Sequence, residues 1–98
     1  MTPEELVTRA TKAKRIIEDP LVVEALNAME TEVIQAFAQC PIRDDEGRRI
    51  LQQELLRTRK FRGFLLGVME SGKVALHDLR EKQSVKERTI NAIRSLHG

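Results

Sequence analysis

The stretch GVMESGKV, Gly67 to Val74, is where residue types and spacing come nearest to a chemical motif: a glycine, four residues, then Gly-Lys. A phosphate-binding loop of that form follows a β-strand, curls its amides around the phosphates, and uses a Ser or Thr after the lysine to hold Mg²⁺. Here Val74 occupies the metal-binding position, the preceding residues carry helical spacing, and no strand pattern precedes them. No nucleotide site is therefore expected. Gly72 is read instead as the residue that stops a helix, since glycine is the usual choice just past a helix C-terminus.

The remaining candidates for chemistry are few. Cys40 is the single cysteine, which excludes an internal disulfide and, with only His77 and His97 beside it, leaves too few ligands for a cysteine-based zinc site. Cys40 falls on an apolar stripe with no nearby His or Asn to activate it, and reads as a small core residue. The two histidines read as solvated. There is no Ser/His/Asp set, no carboxylate pair placed by a fold and no metal cluster, so neither an enzyme nor a cofactor is expected.

The densest charge lies in RTRKFR, where Arg57, Arg59, Lys60 and Arg62 occur without an acid between them. Such a run can hold phosphates through counterion release, which makes nonspecific nucleic-acid contact through these four residues one reading. Helical geometry spreads them around much of the cylinder, and the chain has no Trp or Tyr and three Phe for base stacking. The competing reading is that they complement acidic neighbours. Between Ile16 and Ile42 the chain has five acidic residues (Glu18, Asp19, Glu24, Glu30, Glu32) and no Lys or Arg, so the second helix is an acidic rod within a chain of net charge +2.

Helical periodicity supplies the elements that would position these residues. Thr2, Pro3 and Glu5 form a helix start, and Leu6, Ala10, Ala13 and Ile17 step by four, three and four, which predicts helix 1 over about 3 to 18. Asp19-Pro20 repeats the start signal. Helix 2, about 20 to 39, carries Val22, Leu26, Met29, Val33, Ala36 or Phe37, and Cys40 at heptad-like spacing, and Pro41 ends it. After the short polar turn PIRDDEG, with Asp44 or Asp45 as cap, helix 3 is expected over about 45 to 70. Its apolar arc (Ile50, Leu51, Leu55, Phe61, Phe64, Leu65, Val68, Met69) is wide enough for two partners. Beyond Gly72, KVALHDLREKQ predicts a short helix, and the Ser84/Glu87 capping pair predicts a last one over about 85 to 97.

The fold expected is all-α: an antiparallel helical hairpin of helices 2 and 3, the core at about 20 to 70, with flanking N-terminal and C-terminal helices, all in one domain of 98 residues. In this hairpin Val22, Leu26, Met29, Val33 and Phe37 would face Leu51, Leu55, Phe61, Leu65 and Val68. The tail from about 84 to 98, poor in apolar residues, is expected to be partly disordered until it meets a partner. Gly63 and Gly67 each cost about 1 kcal/mol in a helix interior and share a face with Leu56; with Lys60 they read either as a close-approach surface for another helix or subunit or, equally, as a mildly flexible helix end. With 41% apolar and 33% charged residues and no apolar run near the ~18 needed to span a bilayer, the composition is that of a soluble protein and no membrane partner is expected. The N-terminus shows no secretory signal, and the lone cysteine suits a reducing cytosol.

The run EDPLVVEALNAMETEVIQAF, the P.RDDEGR turn and RGFLLGVMESGK, together roughly residues 16 to 75, resemble small helical proteins encoded among the head and DNA-packaging genes of tailed bacteriophages. The resemblance implies virion assembly as the context, with the host cytoplasm or the virion as location and another phage structural protein as a possible partner. It carries over no site residues. Three functions follow as expectations: a non-catalytic interaction protein that forms a homo-oligomer or docks on a larger particle component; a nucleic-acid-binding accessory; and an inhibitor of a host protein.

Overall fold

The computed structural model describes residues 1 to 97, with the side chain of His97 and all of Gly98 outside the description. Three α-helices account for nearly all of it: α1 (Pro3–Glu18), α2 (Pro20–Gln39) and α3 (Asp45–His97). The first two starts are those the sequence encodes. The Thr2 hydroxyl accepts from the Glu5 amide at 3.1 Å, and the Asp19 carboxylate accepts from the amides of Leu21 (2.9 Å) and Val22 (3.2 Å). Asp19 is extended (φ −61°, ψ 124°), as a residue before proline prefers, so α1 ends and α2 begins across a single residue. Cys40, also extended before Pro41, ends α2, and Asp44 caps α3 by accepting from the Gly47 amide at 2.9 Å.

The third helix departs from expectation. It runs unbroken for 53 residues, about 80 Å at 1.5 Å per residue, through Gly72 and through the junction near Ser84. No described glycine has a positive φ. The reason at Gly72 is tertiary. A Cβ there would fall on the Cβ of Ala10 and within 2.9 Å of the Leu6 carbonyl oxygen, so the glycine is where α1 lies directly on the α3 backbone. Ser84 and Glu87 do not cap. The Ser84 hydroxyl accepts from Arg88 at 3.0 Å and the Glu87 carboxylate from Gln83 at 3.3 Å, both four-residue pairs on the surface of a continuing helix. The expected separate helices after Gly72 are replaced by one rod.

The packing centre is also displaced. α1 and α2 both lie against α3, with Leu6 and Ala10 at Gly72 and Glu30 at Arg62. α1, expected as a flank, makes the most extensive contact with α3, and α2 makes less. Small residues explain the difference: Ala13, Gly72 and Ala75 are buried between α1 and α3 and let the backbones close. On α2, Leu26 and Val33 are buried as expected, together with Leu65 and the hydroxyl residue Thr58 of α3, whose Oγ donates to the Glu54 carbonyl at 3.2 Å. Met29 and Phe61, both assigned to the hairpin core, remain about half exposed because α2 and α3 stand apart there.

Leu51, Leu55, Thr58, Arg62, Leu65, Met69, Gly72, Leu76 and Leu79 recur at alternating steps of four and three, and each is buried or half-buried. This is one heptad seam, covered first by α2 and then by α1. It turns polar at Gln83 and Lys86, beyond the start of α1.

Candidate interaction surface

Where α2 and α3 stand apart lies an open groove of about 740 Å³. Val22, Met29 and Val33 of α2 and Leu51 and Phe61 of α3 form its apolar walls, with Thr58 in its depth and Glu32, Glu54 and Arg57 at the edges. The α2 contribution is the heptad stripe seen in the sequence. A single partner helix fails to cover it.

The basic stretch is divided by the fold. Arg62 donates to Glu30 at 3.4 Å, and Arg59 approaches the same carboxylate at 4.0 Å, so two of the four cations turn toward the acidic helix. Arg57 lines the groove, and Lys60 is exposed. Glu30 keeps only 22% of its side-chain exposure, yet both arginines reach water, and such a pair contributes about 1 kcal/mol or less. Leu56 is 55% exposed, and a Cβ built on Gly63 or Gly67 meets nothing within 4 Å, so none of the described residues makes the close approach expected at that face.

The remaining chemistry candidates take structural places. Gly67 to Val74 lies wholly inside α3, where the amides of a phosphate loop are committed to helical hydrogen bonds. Cys40 is half-buried and its thiol donates to the Asp44 carbonyl at 3.8 Å, bracing the α2–α3 turn. His77 sits 3.9 Å from Glu81 on the exposed side of α3. Among the described residues no three His, Cys, Asp or Glu side chains gather as a metal would require, and no helix is long and apolar enough to cross a membrane.

Sequence reasoning missed Gly72 and Thr58 as packing positions. The signal was present: both lie on the four-three register that runs from Leu51 to Leu79, but neither is a large apolar residue and Arg62 interrupts the stripe between them. Comparison with family models, curated proteins and solved structures finds no match to this chain.

Proposed function

We propose that this protein is a non-catalytic helical assembly protein whose long third helix associates with a further helix, most simply that of another copy. The observation that carries this reading is its surface. A compact chain of 11.2 kDa exposes about 5,700 Å², whereas this one exposes 8042 Å², an excess of about 2,300 Å². Its radius of gyration is 22.8 Å, against about 13 Å for a compact chain of this length. Among the described residues no large side chain is fully buried, and Leu56, Phe61, Phe64 and Val74 of α3 are each at least half exposed. A standard protein interface removes about 800 Å² from each partner, so the excess is ample for one or more such contacts.

The resemblance to phage head and packaging proteins sets virion assembly as the context, with docking on a larger particle component the heterologous form of the same function. Nucleic-acid binding has weaker support, since Arg59 and Arg62 already face Glu30 and only Arg57 and Lys60 of that run are left. Sedimentation of the purified chain across the micromolar range tests the reading. An oligomer that dissociates on dilution is expected, and a monomer throughout would refute self-association and leave a different protein as the partner.

A further inference from the structure

Alongside the seam that α1 and α2 cover, α3 carries a second one. Ile50, Phe61, Phe64, Val68, Val85 and Leu96 fall on a single four-three register offset by one flank from the first, and all but Val68 are about half exposed or more along nearly the whole rod. Toward one end this flank opens into the α2–α3 groove, whose wall includes Phe61. At the other end it continues past the start of α1, where Val85 is 56% and Leu96 85% exposed and no helix of the same chain lies opposite.

Building on the self-association proposed above, we infer that the groove between α2 and α3 receives the C-terminal part of α3, residues 82 to 97, from a second copy, in a two-fold dimer whose α3 helices run antiparallel. Three observations select this occupant. The segment has 16 residues, about 24 Å of helix, and the α2 wall from Val22 to Ala36 spans about 21 Å. The charges are complementary: residues 82 to 97 contain Lys82, Lys86, Arg88 and Arg94 against Glu87, while Glu32 and Glu54 stand at the groove edges against Arg57 alone. Pairing two such basic ends with each other would instead oppose like charges.

The register closes on itself. With a two-fold axis beside Lys73, Ile50 of one copy meets Leu96 of the other and Phe61 meets Val85, because the positions of each pair sum to 146. The exposed Ser71 lies next to the axis, and both grooves fill at once. Such a contact is isologous and ends at the dimer.

Disulfide trapping in the full-length chain reads the arrangement directly. In a Cys40→Ala background, Ile50→Cys and Leu96→Cys are prepared separately; both positions are about half exposed or more, so the single-chain fold tolerates them. Under mild oxidation an equimolar mixture is expected to form covalent dimer at least tenfold faster than either variant alone. Rapid self-linking of Leu96→Cys would indicate paired C-terminal ends and overturn the proposal while leaving self-association intact. A sedimenting dimer in which neither the mixture nor the single variants link would also overturn it, and a parent chain that sediments as a monomer would overturn both readings.

Discussion

Replacing Gly72 with alanine tests the contact on which the rod and α1 depend. The added methyl would fall on the Ala10 Cβ, 2.9 Å from the Leu6 carbonyl oxygen and 3.5 Å from the Ala10 Cα. None of these atoms can swing aside, because two are backbone and the third is fixed to it. α1 must withdraw until carbon atoms stand about 3.5 to 4.0 Å apart, and a gap of even about 0.5 to 1 Å along the seam forfeits a quarter to a half of each dispersion contact. Overpacking of this kind costs about 1 to 3 kcal/mol. Against it stands the gain of about 1 kcal/mol that alanine has over glycine inside a helix. The net expectation is destabilisation by up to about 2 kcal/mol, which for a domain of this size lowers the melting temperature by about 4 to 8 °C per kcal/mol.

Gly63 and Gly67 are the internal controls, since a Cβ at either meets nothing within 4 Å. Gly63→Ala and Gly67→Ala should therefore stabilise by up to about 1 kcal/mol each. Thermal unfolding followed by circular dichroism, at one fixed protein concentration so that association is held constant, reads all three variants. The sign is the discriminating quantity. If Gly72→Ala melts as high as Gly63→Ala, α1 does not lie on the α3 backbone and Gly72 has no packing role.

Two further outcomes follow from the α2–α3 contact. Leu26→Ala should destabilise by about 2 to 3 kcal/mol in urea unfolding, the lower part of the usual range, because Leu26 is buried beside a groove already open on one side; a loss below about 0.5 kcal/mol would show the α2 stripe to be idle. Glu30→Gln should cost about 1 kcal/mol or less at low salt, and the difference from the parent should shrink at 1 M salt, where the Debye length falls to about 3 Å; a salt-independent loss would mean that Glu30 acts through packing.

What the sequence made legible is what local physics decides. Thr2 and Asp19 cap because a short polar side chain beside a proline has few other uses, and the α2 stripe buries Leu26 and Val33 because its spacing admits one face only. The end of α3 was not legible, and the failure has one physical source. Glycine after an apolar run signals a helix stop only if the next residue finds nothing better than the left-handed turn. At Gly72 the alternative is contact with α1, and that contact is long-range information: Ala10 lies 62 positions earlier. The Ser84/Glu87 pair has the same ambiguity, because Ser-x-x-Glu offers its oxygen and carboxylate equally to a helix start or to partners four residues away on a helix that continues. The groove was legible only as an apolar arc too wide for one partner.

The polar interval in the seam gives the sharpest link between pattern and assembly. Within one chain, α1 ends its cover of α3 near Leu79, and the next two seam positions are Gln83 and Lys86, as a face without a partner requires. A helix end meant only for water would remain polar from there on. Instead Ile90 and Ile93 resume the same four-three register at 38% and 50% exposure, and Val85 and Leu96 hold the neighbouring flank. Four aliphatic side chains on a projecting helix of about four turns have no other described element of their own chain to pack against, and an isolated helix of that length is marginal in water. Their placement is accounted for when the cover comes from elsewhere, and the wide groove at the opposite end of the same rod, lined by the acidic helix, is the surface in this molecule with the length and charge to supply it.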